Sequence, residues 1–287
     1  MLSVGIDVGT TTTQLVFSRL TLSGGPLGGT TPLTRAPLTR HETAGIVGKE
    51  VLYRSPIHFT PLRGADEVDA AALEQIVRLE YQRAGVKPEE VETGAVIITG
   101  ETAKKQNADV ILEALSALAG DFVVTVAGPH LESMISGRGS GAATYSREHY
   151  TTVTNVDIGG GSANSAIFRQ GEMIAAAAMN YGGRIMELDA AGGRITRLAE
   201  PARIILSHLN LPLSEGDAPS LAQLRAFTDC MAGLTMELIE GRAGTLGQKL
   251  LLTDPSPVSG AGTILFFSGG IGHYVYHPFP LRTVADV

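Results

Sequence analysis

Cysteine is almost missing from this chain. Cys230 is the single one in 287 residues, so no internal disulfide can form, which fits a reducing cytoplasm. No histidine–cysteine cluster has the spacing of a zinc site. No run approaches the ~18 apolar residues of a membrane-spanning helix. No secretory leader is expected, because Asp7 interrupts the first apolar stretch and no basic residue precedes it. Positive charge is scarce too: 22 Lys and Arg stand against 29 Asp and Glu, a net charge of −7. That balance argues against non-specific binding to nucleic acid or to an anionic membrane. Two common nucleotide motifs are absent. Residues 45–50, Gly-Ile-Val-Gly-Lys-Glu, lack the loop length and hydroxyl of a Walker A sequence, and Gly137, Gly139 and Gly141 have the wrong spacing for a dinucleotide fingerprint. With 44% hydrophobic and 18% charged residues the chain is expected to be globular, soluble and intracellular, with room for two lobes.

What is present centres on residues 154–168. An apolar run ends at Asp157, three glycines (Gly159, Gly160, Gly161) and Ser162 follow, and alternating residues lead away to Phe168. Alternation on both sides of a glycine cluster predicts a β-hairpin. Glycines let such a turn point its N–H groups one way, and a nest of that kind can hold a phosphate. A carboxylate at the strand end suits a magnesium ion held through water. The N-terminus repeats the pattern: strand, Asp7, Gly9, then Thr10, Thr11 and Thr12, then a second strand from Gln14. Two Asp-x-Gly hairpins 150 positions apart predict a duplicated lobe, with each lobe offering one turn to a shared ligand. The expected division is 1–150 and 151–287, with a β-rich excursion at about 20–64.

Between the hairpins, a helix is expected over 66–84, ended by Gly85, then a buried strand over 95–98 that stops at Thr99-Gly100-Glu101-Thr102. A polar loop just beyond a strand is where open α/β sheets place ligand groups. Helix 104–118 and strand 122–126 follow, so the fold class is α/β with a partly parallel sheet. Residues 131–141 form a short helix with Glu132 near its start, where the helix dipole favours a carboxylate. After the central hairpin a third strand covers 172–178. Gly182 and Gly183 then open a helix over 185–188, a second anion site in which free N–H groups converge. A further helix covers 201–208, and a stripe from Leu221 to Leu238 marks a long core helix. Residues 263–267 read as a buried strand ending in Ser268, Gly269 and Gly270. Paired glycines there let the backbone lie flat against a planar ring such as adenine. His41 and His58 are expected in ordinary surface or turn roles.

The order of these features resembles the actin-like ATPase superfamily (a ribonuclease H-like fold), whose two related lobes enclose a nucleotide cleft. Residues 5–13 look like its first phosphate motif, 157–163 like the second, and 267–270 like its adenosine motif. Residues 131–141 look like its connecting helix, 99–102 fall at a loop beside the γ-phosphate, and Gly182-Gly183 matches a glycine pair at the third strand. Within the superfamily, residues 3–17, 97–108, 126–142 and 155–166 resemble the reactivating factors of ethanolamine ammonia-lyase, the EutA family. That resemblance implies use of ATP and magnesium to free damaged cobalamin from the partner lyase. It also implies a cytoplasmic setting, beside or within a bacterial microcompartment, and permits a homodimer.

Members of the family are longer, so the resemblance also implies a C-terminally truncated form. The implied site has Asp7 and Asp157 near magnesium. Gly9, Thr10, Thr11, Thr12, Thr102, Gly159, Gly160, Gly161, Ser162, Gly182, Gly183, Ser268, Gly269 and Gly270 lie around ATP, and Glu132 orients or deprotonates the attacking water. A small-molecule kinase of the same fold is the alternative, weakened because no second acid in the C-terminal half is placed to activate a substrate hydroxyl. A filament protein using ATP for assembly is a third.

Overall fold

Alternation of apolar and polar residues makes the first strand. In a computed structural model, which describes residues 1–9, 12–23, 45–63, 67–99, 108–116, 122–189, 193–260 and 263–277, β1 (Leu2–Val8) buries Val4, Ile6 and Val8 and turns Gly5 and Asp7 to the other face. It pairs antiparallel with β2 (Thr12–Ser23). β2 pairs with β3 (Gly45–Arg54) and with the short β4 (His58–Phe59). On its other side β1 pairs parallel with β5 (Thr93–Ile98), which pairs parallel with β6 (Phe122–Val126). The sheet order is β3-β2-β1-β5-β6. The excursion expected at about 20–64 therefore contributes a ten-residue strand.

Helix α1 (Ala70–Ala84) starts later than residue 66 because Asp69 caps it, its Oδ1 accepting from the Ala72 amide at 3.0 Å. It ends at Gly85, which takes the left-handed φ of 66° that favours glycine. On α1 Leu79 is exposed and Glu80 is fully buried. Glu80 accepts hydrogen bonds from Tyr53 Oη (2.6 Å) and Arg83 (2.7 Å) and pairs with His58 Nε2 (2.9 Å). Burial pushes its carboxyl up, but these three partners together outweigh it and hold Glu80 below the usual range. His58 thus clips the excursion to α1, which is more than a surface role. Of the helix expected over 104–118, α2 (Ala108–Ser116) is the described part.

The second unit opens with α3 (Pro129–Gly139) and α4 (Ala142–Glu148). Its sheet begins with β7 (Thr152–Ile158), β8 (Ala163–Arg169) and β9 (Glu172–Met179), joined as an antiparallel meander. β10 (Met186–Leu188) and β11 (Ile195–Leu198) form a separate ribbon. Helices α5 (Glu200–His208), α6 (Leu221–Glu240) and α7 (Thr245–Leu250) follow, then β12 (Ile264–Ser268), parallel to β7, and α8 (Gly269–Tyr276). The order β12-β7-β8-β9 repeats β5-β1-β2-β3 of the first sheet in both sequence and direction, so the expected duplication is visible in the strand order itself.

The boundary between the units differs from the expected 150. Residues 127–150 belong with the second unit, which also takes in Gly9 and Thr99, because α3 packs on β7, β8 and β9 and α4 on β7 and β8. Gly137 makes that packing close: a Cβ there would lie 2.2 Å from the Phe168 ring. On the sheet's other face Tyr181, Ile205, Phe227, Leu234 and Leu238 build the main core. The α6 stripe is core as expected, although Leu221 at its start is exposed. Burial, with help from the Glu237 carboxylate, pushes the Cys230 thiol up, so it stays an unreactive thiol.

Two expectations fail here. Residues 186–188 are strand, not helix. The amides just before them are tied to the central hairpin, so the chain leaves that contact extended. β12 is not buried either: Ile264 and Leu265 are 40% and 36% exposed, because among the described strands β12 is paired only with β7. Among the described residues no helix is long and apolar enough to cross a membrane.

Candidate functional site

The residues expected at the site fall in both units. In the first, Asp7 lies one residue short of the end of β1, opposite Gln14 on β2 and Ile97 on β5. Gly9 follows β1. Thr12 opens β2 opposite Phe59, and the next hydroxyl, Thr13, is buried against Thr60 at 3.0 Å. Thr10, Thr11 and Thr102, with Gly100 and Glu101, lie outside the described residues.

The second unit gathers most of the rest around the end of β7. Side chains two apart on a strand share a face, and residues opposite one another in an antiparallel pair are neighbours on it. Asn155 and Asp157 on β7 therefore share a face with Asn164, which stands directly opposite Asp157 on β8, and with Ser268, opposite Asp157 on β12. Ser268 donates its hydroxyl proton to Asp157 Oδ1 at 2.6 Å. Asn155 Nδ2 donates to Ser268 Oγ at 3.0 Å and to Ser136 Oγ, on α3, at 3.4 Å. Since Ser136 spends its own proton on the Ser133 carbonyl, both serines need a donor and the Asn155 amide must face them with nitrogen. Asn164 Nδ2 donates to Glu132 Oε1, also on α3, at 3.3 Å.

Asp157 is half-buried. Enclosure of its carboxyl by protein pushes its pKa above the ordinary range, with the Ser268 hydrogen bond pulling back. Both asparagines are 1% exposed, and the Oδ1 of each lacks a hydrogen-bond partner. The site thus holds a carboxylate that no cationic side chain pairs with among the described residues, and two buried acceptors awaiting donors. Orphaned buried acceptors of this kind are rare in folded proteins.

The glycine turn itself differs from expectation in its mechanism. Gly159, Gly160 and Gly161 are not among the glycines with positive φ, so left-handed backbone is not why they are glycine. Close approach is a better reason: Gly183 N–H donates to Gly159 O at 2.9 Å and Arg184 N–H to Gly160 O at 2.8 Å. A Cβ on Gly182 would meet the Gly160 carbonyl at 2.6 Å. The second glycine pair is thus seated on the first turn. Its two following amides are engaged there, and no helix N-terminus forms. Gly159 N–H is spent on Ser162 O at 3.0 Å, while the amides of Gly160, Gly161 and Ser162 donate to no described protein acceptor. Gly269, with φ +79°, lies against the backbone of β7, where a Cβ would meet Ile158 O at 2.3 Å. Gly270 has open space around it, at the start of α8.

Glu132, Asp157, Ser162, Gly182 and Ser268 were all legible as candidates. Asn155, Asn164 and Ser136 were not, although one signal existed. Asparagine at alternating positions in two otherwise apolar strands flanking a glycine turn puts polar groups on one buried face. Among the described residues no group of three or more His, Cys, Asp and Glu gathers as a metal cluster.

Comparison with known proteins agrees with the resemblance read from the motifs. Over all 288 aligned positions the chain is 40% identical to the ethanolamine ammonia-lyase reactivase EutA of Escherichia coli (strain K12), and it covers 59% of that protein. It is 39% identical over 272 residues to the reactivase of the same name from Salmonella typhimurium, covering 95% of this chain and 56% of the relative. The chain therefore spans less than two thirds of the length of both. Among solved structures it is similar to MreB 5 of Spiroplasma citri bound to AMPPNP, at 12% identity and a TM-score of 0.43, over 99% of this chain and 92% of that one. The family model described as ethanolamine utilisation protein EutA matches residues 1–284. With nearly every residue inside that match, the chain belongs to the EutA family.

Proposed function

We propose that this protein hydrolyses ATP, with magnesium, to reactivate ethanolamine ammonia-lyase by driving release of damaged cobalamin from it. The observation that carries the reading is the turn after β7. Its amides at Gly160, Gly161 and Ser162 have no acceptor among the described residues, and Asp157 stands beside them. Anionic oxygens suit those amides. The residues also fit a divalent ion: Asp157 is an enclosed carboxylate with no cationic side chain paired to it among the described residues, and acceptors such as Asn155 Oδ1 and Asn164 Oδ1 suit the waters that magnesium keeps. Asp157 would hold the ion. When bound, it supplies neutralisation of charge on the terminal phosphates.

The chain's own groups then have separate tasks. Ser268 orients Asp157, and Asn155 orients Ser268. The hairpin amides position the phosphate oxygens. Glu132, at the start of α3, accepts a proton from the water that attacks the terminal phosphorus. Loss of that phosphate removes contacts that ordered the turn, and the relaxation is the event passed to the partner lyase. The two relatives named as reactivases of ethanolamine ammonia-lyase support that partner, and cobalamin enters with the lyase. Water as acceptor distinguishes this reading from a metabolite kinase. Calorimetric titration with MgATP tests the site: Asp157→Ala should weaken metal-dependent binding far more than Asp189→Ala, a residue beyond the motif. Equal effects would refute the assignment.

A further inference from the structure

Asn164 has a place in the site that neither sequence motif nor family membership assigns. It sits on β8, 1% exposed, directly opposite Asp157. Its amide nitrogen donates to Glu132 Oε1 at 3.3 Å, and its amide oxygen has no partner. The orientation follows from chemistry: turning the amide over would set its oxygen against a carboxylate oxygen, leaving the donor unused and two acceptors facing each other. A buried amide that spends its donor on a carboxylate and keeps its acceptor unspent requires a further donor, and a water molecule beside Glu132 is one.

We infer that Asn164 is a positioning residue for hydrolysis: its nitrogen fixes the Glu132 carboxylate, and its oxygen accepts a hydrogen bond from the attacking water. The inference rests on the ATPase reading and deepens it. In the step assigned, the water oxygen forms a bond to the terminal phosphorus. The bond from that phosphorus to the bridging oxygen breaks, and ADP departs with the electron pair. One proton of the water passes to Glu132 Oε2 or Oε1 and later to solvent. The other proton of the water points to Asn164 Oδ1. Two contacts to one water, from two residues that bond each other, set its direction of attack better than a carboxylate alone.

The test is a double-mutant cycle on phosphate release, with MgATP affinity measured in parallel by calorimetry. Asn164→Ala should lower kcat roughly 10- to 100-fold, the scale of one hydrogen bond to a charged group, while the dissociation constant for MgATP changes less than about threefold. Asn164→Leu, which keeps the approximate volume and removes donor and acceptor without adding a charge, should lose kcat in the same way and serves if the alanine variant fails to fold. Because Asn164 and Glu132 hold one water as a unit, Glu132→Gln with Asn164→Ala should lose clearly less than the product of the two single losses. Multiplicative losses in the double variant, or affinity that falls in step with kcat, would overturn the inference. So would hydrolysis by the parent protein that survives unchanged in both Asn164 variants, and that result would leave the ATPase reading intact. A parent protein that binds MgATP but releases no phosphate, with or without the lyase, overturns both.

Discussion

Gly182→Ala is the substitution whose cost the structure defines most closely. A Cβ at this position would lie 2.6 Å from the carbonyl carbon and oxygen of Gly160 and 2.7 Å from Gly159 O. Ordinary contact begins near 3.4 Å, and the obstructing atoms are backbone, which cannot swing aside as a side chain can. The loop after β9 must therefore lift from the hairpin. Two backbone hydrogen bonds go with it, Gly183 N–H to Gly159 O and Arg184 N–H to Gly160 O. Each is worth about 1 kcal/mol net, and more where a group is left without water, so the loss should total roughly 2–4 kcal/mol. The same displacement moves the turn whose free amides are proposed to hold phosphate, so MgATP affinity should fall as well. Gly270→Ala is the control for stability. No atom lies within 4 Å of a Cβ there, and alanine is the better helix former by about 1 kcal/mol, so its unfolding midpoint should stay or rise. Urea unfolding followed by far-UV circular dichroism reads both. A Gly182→Ala protein within about 0.5 kcal/mol of the parent, with undiminished MgATP affinity, would refute the account of how the two glycine pairs meet.

Asp157→Asn should make the nucleotide-free protein more stable at neutral pH, by on the order of 1 kcal/mol, while abolishing metal-dependent binding. The sign follows from the raised pKa. The folded state holds its proton more tightly than the unfolded state, so stability falls as pH rises from the ordinary aspartate range through the raised value, and asparagine removes that fall. Melting temperatures of the two proteins between pH 4 and 8 should converge at the acid end, and curves that stay parallel would contradict the reasoning. Glu80→Ala should cost about 3–5 kcal/mol, because it strands Tyr53, His58 and Arg83 around a hole. Glu80's own contribution, from a depressed pKa, is present above the ordinary glutamate range and lost as pH falls through the depressed value. A chemical-denaturation difference under 1 kcal/mol at pH 7 would show the network to be ornamental.

Much of the second unit was readable because its signals are local. Asp157, three glycines and a serine are consecutive, and the alternation on both sides names the two strands. The duplication was readable because the same short pattern recurs at Asp7. Contacts between distant segments were not. Glu80 looked like one more position on an amphipathic helix, since its partners Tyr53 and His58 lie 27 and 22 positions away. Gly182 and Gly183 read as a helix start for a similar reason: glycines followed by apolar residues suit a helix N-terminus or a close backbone approach equally well. The seat on Gly159 and Gly160 decides between them. Strand exposure at β12 was misread because an apolar run looks alike at the edge and at the centre of a sheet. The asparagines were missed because polar residues inside strands are usually surface residues, and only the register places Asn155 and Asn164 on the buried face with Asp157.

The central claim is that ATP turnover at this site restores a blocked lyase. Ethanolamine ammonia-lyase inactivated with an inert cobalamin is incubated with this protein, fresh active cobalamin, magnesium and ATP, and ammonia release is followed against time. The account predicts recovery that needs ATP and magnesium, fails with a non-hydrolysable ATP analogue, and is lost with Glu132→Gln although that variant still binds nucleotide. Recovery at the same rate without ATP, or undiminished recovery with Glu132→Gln, would contradict it.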